Sequence, residues 1–502
     1  MDDRRTLRAC GWCIFVSALL RLALAGGVTG FVLVDDAYIT LRYARMANET
    51  GALVYNVGEA VFGVTSPLWG LVTTGLYAIA GRAWIAELVI GLGILLWSLT
   101  AWRIARALPA RTRLLTVLVF LWSPVFVDNQ LLGMETPMVV WLAVGAMTAA
   151  LDGRLRAAAG WTGWLIVARP EGVLFAPALL IAAASRSGWR PALRELVRPA
   201  SLALLLAPVL AWMTYALTRY GAVLPQSMVA KSGWNSSHYD TLATASAALL
   251  ALPRLTFLPF VDYLPAPLPI AIAATTLVAV LWIVRVNVRA GTSASRAWLV
   301  FYLTYITFYL VGKGATEASW YAVPPSVALL LAAEPAWPRR WIVPPVRLVG
   351  ALACTLAIAS VGLVLKRAPL LESYVAGYGR CAEALNEELA GRPTVDNPVL
   401  IGEIGVFGFV SDHRVIDVGA LVSPQVLPLK NDDASLLSIA RATGARWLVV
   451  SEVALERNHY PSVGPVWADE EEHDWLNRCP LIFQARDKLL FQLVDPALVQ
   501  AR

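Results

Sequence analysis

Residues 11–36 read GWCIFVSALLRLALAGGVTGFVLVDD, an apolar run closed by two adjacent carboxylates. A hydrocarbon core of about 30 Å takes about 20 helical residues, so this run is long enough to cross a bilayer. Runs of similar length recur to about Leu365, separated by short polar or basic loops. The whole chain of 502 residues is 58% hydrophobic and only 15% charged, against roughly 25% charged for an ordinary soluble domain. A soluble enzyme is excluded, and the pattern predicts a polytopic α-helical membrane protein. The first run meets VLVDDAY without a small-residue cleavage pattern, so it is read as a retained span rather than a removable signal.

The net charge of +6 conceals an asymmetry. From Lys366 to Arg502 there are 13 basic and 19 acidic residues, which leaves 28 basic against 16 acidic before them. The basic residues of the first part sit in short loops between apolar runs, where lipid head groups and the positive-inside rule account for them, and no nucleic-acid partner is expected. Arg4, Arg5 and Arg8 put the N-terminus in the cytoplasm and Asp35 on the far side. The apolar run Pro67 to Ala80 is short for a crossing and is read as a helix at the outer interface, inside a long exoplasmic loop over 35–83. Trp84 to Trp102, followed by Arg103 and Arg106, is the second span. The same rule gives spans near 114–129, 135–150, 200–217, 266–286, 297–311, 322–337 and 346–365. The stretch 157–185 becomes two short crossings with Arg169-Pro170-Glu171-Gly172 at the outer turn. About 11 crossings leave the C-terminal tail outside.

The chain thus divides into a transmembrane module, 1–365, and an exoplasmic α/β domain, 366–502. In the tail the patterns predict a helix around 370–390, strands at Val399–Ile401, Val415–Val418 and Trp447–Val450, a helix near 434–443 and a strand around 488–494. The five cysteines have no metal-ligand spacing; only Cys381 and Cys479 lie in the tail, where a disulfide and two unpaired thiols are equally compatible with the sequence. The four histidines form no metal pattern, and no internal repeat of the kind found in secondary transporters is visible.

Chemistry concentrates in residues 35–71, DDAYITLRYARMANETGALVYNVGEAVFGVTSPLWGL. Two carboxylates where a hydrophobic helix ends can take a proton from a hydroxyl. The acidic pair, Arg42-Tyr43-Ala44, Gly58-Glu59 and Thr65-Ser66-Pro67-Leu68-Trp69 resemble the first exoplasmic loop of GT-C superfamily glycosyltransferases that use polyprenyl-phosphate sugars. Within that superfamily they are similar to the bacterial branch containing the mycobacterial terminal arabinofuranosyltransferases. Weaker echoes are Gly133-Met134-Glu135-Thr136, Arg169-Pro170-Glu171-Gly172, Leu224-Pro225-Gln226-Ser227 with Lys231, Trp320-Tyr321, and the segment Ile401–Leu421.

The resemblance implies a GT-C fold and an inverting glycosyltransferase of the cytoplasmic (inner) membrane. It would move a sugar, arabinofuranose if the branch holds, from a polyprenyl-phosphate carrier to a glycan or lipid of the cell envelope on the exoplasmic face. An acidic residue of the first loop is the general base, Asp35 in preference to Asp36. Arg42, Arg169, Lys231 and Lys313 are the candidates for the donor phosphate; Tyr38, Glu59, Trp69, Glu135 and Trp320 are the candidates for the sugar or acceptor. Many relatives carry Arg-Tyr where this chain has Trp320-Tyr321, hence the appeal to Lys313. Arg169 alternatively pairs internally with Glu171. No cofactor is assigned and no metal ligands are named, with a divalent cation left open. Two alternatives remain: a protein O-glycosyltransferase of the same fold, and a transporter or flippase for a lipid-linked sugar.

Overall fold

The computed structural model describes residues 3–233, 252–253, 267–309, 319–336, 346–392, 396–460 and 464–494. Its first helices in chain order are α1 (Asp3–Gly27), α2 (Asp35–Thr50), α3 (Pro67–Ala107), α4 (Ala110–Trp122), α5 (Pro124–Gln130), α6 (Thr136–Leu151), α7 (Leu155–Ala168) and α8 (Ala176–Ser187). Pro199–Tyr220, Leu268–Ala290, Ser293–Thr307, Val323–Ala332 and Val346–Glu388 follow among the longer ones. Within the described residues each predicted crossing falls on a helix, except that 114–129 falls on the bent pair α4–α5. By length and apolarity alone, five helices among the described residues suffice to cross a bilayer, or six if the bent pair α4–α5 is one span. Their apolar surface is left outward: the most apolar window of Pro199–Tyr220 is only 11% buried. Water would penalise such a face, whereas lipid tails match it. The chain is a multi-pass membrane protein.

The expected interfacial helix and second span are one element, α3, broken at Gly81, whose φ of 58° and ψ of −166° interrupt the helix. The pair α7 and α8 is joined by a turn, Pro170–Phe175, which sets Arg169 between two short helices as the charge pattern required. A sharper break of 55° separates α4 from α5. Pro124 has no N–H to give the preceding turn, so carbonyls there need other donors. Three helices supply them. The Trp97 indole donates to Phe120 O at 3.2 Å, the Ser360 hydroxyl to Trp122 O at 2.7 Å, and the Arg21 guanidinium to Leu121 O.

The tail is a five-stranded sheet: β1 (Val399–Ile401), β2 (Val415–Asp417), β3 (Trp447–Ser451), β4 (Leu481–Ala485) and β5 (Lys488–Gln492), in the order β2-β1-β3-β5-β4. The first three are parallel and the last two antiparallel. Period-two alternation sorts their side chains: Val399, Ile401, Trp447 and Val449 join the core shared with the helices, while Leu400, Leu448 and Val450 join a second cluster on the far face. β4, whose side chains are mostly exposed or half-buried, was not expected from sequence. The division at 365/366 falls inside the continuous helix Val346–Glu388, which packs on α4 and α5 at one end and on β4 and β5 at the other. Cys381 and Cys479 are both free, so the disulfide alternative is corrected; they belong to different clusters on opposite sides of the sheet.

Candidate active site

Helix α2 begins at the acidic pair and lies between the helical bundle and the tail. Successive helical residues point about 100° apart, so its two carboxylates face different neighbours. Asp36 opens onto a cavity that it lines together with Thr40, Thr65, Ser66, Glu135 and Arg169, closed by Ser227, Trp320, Tyr321 and Leu421. Five separated motifs therefore converge on one space: the acidic pair, the Thr65-Ser66 segment, Met134-Glu135, Arg169 and Trp320-Tyr321. The Leu224–Ser227 segment is fixed beside them, since the Thr65 and Ser227 hydroxyls lie 2.8 Å apart and Gln226 N donates to Phe62 O. Ser66 Oγ is buried with no hydrogen-bond partner among the described residues.

Arg169 is buried, and its guanidinium donates to Glu135 Oε1 at 2.6 Å and, more loosely at 3.4 Å, to both Glu171 oxygens. Its plane lies over the Tyr321 ring, 4.6 Å from the centroid. Two carboxylates thus balance one cation, and the expectation that Arg169 offers a free positive charge to a phosphate is corrected: the internal pairing prevails in this state. Glu171 is further held by the Tyr309 hydroxyl at 2.8 Å. Behind this cluster an apolar pocket, lined by Val140, Leu165, Trp298, Phe301 and Tyr305, also reaches Arg169.

Asp35 turns away from the cavity. Its carboxylate accepts Gly405 N and Val406 N, each at 2.8 Å, at the start of the short helix Ile404–Val410. A Cβ on Gly405 would collide with the Asp35 backbone, so only glycine allows this approach. Burial beside Glu403, itself held by the Tyr374 hydroxyl at 2.8 Å, pushes the Asp35 carboxyl up to about 8. The preference for Asp35 over Asp36 as base is not favoured by this geometry, because both Asp35 oxygens are committed to backbone.

Four more expectations are redirected. Arg42, 1% exposed, donates to Tyr55 O at 3.0 Å and to Ser411 O and His413 O, so it joins loop to tail rather than waiting for a phosphate. Glu59 pairs with Arg414 at 2.6 Å and Asn56 at 2.8 Å, outside the Asp36 cavity. Trp69 is buried and donates to Gly133 O at 3.1 Å, and Tyr38 is buried against the Phe409 ring. Neither presents a face to a sugar here. Lys231 lies on the helix Gln226–Gly233, one turn beyond Ser227. Lys313 lies outside the described residues.

The sequence reading missed Thr40, Thr65, Ser66, Ser227, Tyr321 and Leu421 as cavity residues, although all of them stand in segments already quoted. Their neutral side chains carry no charge signal. Among the described residues no group of three or more His, Cys, Asp or Glu side chains gathers to hold a metal ion, and no chemical step is assigned to one.

No protein-family model and no curated protein sequence matches the chain. Solved structures do match in shape. ArnT from Cupriavidus metallidurans in the apo state aligns with a TM-score of 0.62 at 13% identity, over 97% of this chain and 98% of that one. The same protein bound to undecaprenyl phosphate gives 0.59 at 13% identity, over 97% and 99%. The Archaeoglobus fulgidus oligosaccharyltransferase, in complex with Zn and sulfate, gives 0.53 at 11% identity, over 88% of this chain and 68% of that chain. With its apolar helices, its long first loop and its small C-terminal sheet, this chain has the GT-C fold.

Proposed function

We propose that the chain is a polyprenyl-phosphate-dependent glycosyltransferase of the cytoplasmic membrane, acting with inversion on its exoplasmic face. The observation that carries this is the convergence of Asp36, Glu135, Arg169 and Trp320 on one cavity at the end of the helical bundle. The likeness to ArnT, which has been solved with undecaprenyl phosphate, supports a lipid donor of that class. Arabinofuranose and a cell-envelope glycan acceptor remain the reading that the 35–71 motif favours. The N-terminus is cytoplasmic and the tail exoplasmic in this reading.

Asp36 is the general base. The acceptor hydroxyl is a very weak acid, and a carboxylate within about 3 Å that takes its proton as the new bond forms contributes about 10²–10⁴-fold. The acceptor oxygen attacks the anomeric carbon, the bond from that carbon to the phosphate oxygen breaks on the opposite face, and polyprenyl phosphate leaves with the electron pair. Glu135, fixed by Arg169, receives sugar hydroxyls; Trp320 offers a ring face. The leaving phosphate meets the hydroxyls of Thr65, Ser66 and Ser227, with Lys231 one turn beyond Ser227 supplying positive charge.

The test is transfer from a panel of polyprenyl-phospho-pentoses and -hexoses by purified protein, comparing wild type with Asp36→Asn and Asp35→Asn. Loss of turnover in Asp36→Asn with retained folding is expected. Full activity of that variant would overturn the base assignment, and no transfer by wild type from any donor would overturn the enzyme reading. Lys231→Ala should raise the donor KM with little change in kcat.

A further inference from the structure

A second, open pocket lies beside the first on the outer surface. It is lined by Glu59, Val61, Arg414, Gln425, Leu429 and Thr443. The same two segments wall both spaces: the first loop contributes Glu59 and Val61 to the outer pocket and Gly63–Ser66 to the Asp36 cavity, while the tail turn contributes Gln425 to one and Leu421 to the other. Only Phe62 separates Val61 from Gly63. Gly63 N donates to Val61 O at 3.1 Å, closing a tight turn at Phe62, so the two spaces adjoin along that wall. Phe62 does not block the way, because its ring is buried against Trp212 and stacked on Tyr220.

The chemistry of the outer pocket narrows its occupant. Arg414 and Glu59 hold each other at 2.6 Å, so the lining offers planar polar groups of both signs without net charge. Gln425 adds an amide and Thr443 a hydroxyl. A guanidinium, a carboxylate and an amide each present paired donors or acceptors, which suits neighbouring hydroxyls of a sugar and gives no advantage to a phosphate or a charged peptide. The lower rim, Leu429 and Val61, is apolar and fits the C–H face of a sugar ring.

We infer that the acceptor is a neutral oligosaccharide whose growing end enters the Asp36 cavity while its preceding residues cross the seam into the pocket of Glu59, Arg414, Gln425 and Thr443. This rests on the glycosyltransferase reading and specifies its acceptor. A single sugar or a lipid with one sugar would fill the inner cavity only. An oligosaccharide gains the hydrogen bonds of the outer pocket at about 0.5–1.5 kcal/mol each.

The experiment compares neutral arabinofuranosyl and mannosyl acceptors from monosaccharide to hexasaccharide, with whichever polyprenyl-phospho-sugar supports transfer. Wild type should prefer the longer acceptors in kcat/KM by about tenfold, the effect of two such bonds. Gln425→Ala and Thr443→Val, and separately Ala442→Trp, at an exposed residue that also lines the pocket and from which the larger side chain would fill it, should erase most of that preference by raising the long-acceptor KM while leaving kcat. Length independence in the wild type, or an undiminished preference in Ala442→Trp, would overturn the outer subsite while leaving the transfer reaction standing. Transfer confined to a protein acceptor would overturn it equally. Absence of transfer to every acceptor would instead strike the glycosyltransferase reading.

Discussion

The two sides of helix α2 carry the same kinds of residue and do opposite work. On one side Asp36 and Thr40 face a cavity with Glu135, Arg169 and Trp320. On the other, Asp35, Arg42 and Arg45 grip the tail. Asp35 accepts two backbone N–H groups, while Arg42 and Arg45 donate to carbonyls of Phe409, Ser411 and His413. Tyr55 and Asn56 continue this seam, the first donating to Ile404 O at 2.6 Å, the second exchanging hydrogen bonds with both backbone groups of Val415 on the edge strand β2. On the cavity side Asp36 faces open space while Arg169 and Glu135 pair with each other, whereas the charged groups of the seam bind backbone of the tail. The difference teaches that a chemically dense motif is not a catalytic motif throughout; half of this one secures the wall on which the other half is displayed.

Substitutions across α2 separate the two roles. Asp36→Asn should lower turnover about 10²–10⁴-fold without moving the unfolding temperature, read by transfer kinetics beside thermal unfolding in detergent. Equal losses in Asp35→Asn and Asp36→Asn would erase the distinction. Arg42→Ala, which takes a buried guanidinium donor from Tyr55 O and His413 O and leaves Ser411 O to Arg45 alone, should cost roughly 2–4 kcal/mol and show first as a lowered unfolding temperature. Gly405→Ala forces a Cβ against the Asp35 backbone and should loosen the same contact by roughly 1–3 kcal/mol; faster proteolysis of the tail would report it. Trp320→Ala should reduce kcat/KM about tenfold with stability unchanged, the loss of one ring contact.

A pH slope tests the seam side of the comparison separately. Burial beside Glu403 raises the Asp35 carboxyl to about 8, above its unfolded range near 4, so the folded state favours the protonated form. Its contribution is complete below about pH 4 and is lost as pH rises toward 8. The unfolding temperature should fall between about pH 5 and pH 9, and Asp35→Asn should flatten that slope. A rise over the same interval would mean that the two N–H bonds outweigh burial.

Much of the architecture was legible. Apolar runs about 20 residues long must be helices in lipid, and the basic loops predicted the paired short helices around Arg169 before any packing was known. Short apolar stretches located β1, β2 and β3 and alternation located β5, but not β4, where the apolar run Leu481-Ile482-Phe483 has no period-two pattern and lies largely exposed. Of the candidates read from sequence, Asp36, Glu135, Arg169 and Trp320 line one cavity, whereas Arg42, Tyr38 and Trp69 are buried in packing and Glu59 lies outside that cavity, paired with Arg414. The neutral hydroxyls of Thr65, Ser66 and Ser227 were overlooked because nothing in their composition distinguishes them from loop residues.

What the sequence determined by itself follows from local rules: hydropathy and length set the membrane spans, and side-chain period set the strands. What the tertiary structure alone decided is which partner each polar residue meets. Arg42 reaches Ser411 across 369 residues of chain, and Asp35 finds Gly405 across 370. A hydrogen bond acts over about 3 Å, and the position of its partner along the chain leaves no local trace. Only the closed fold could assign Asp35 to the seam and Asp36 to the cavity.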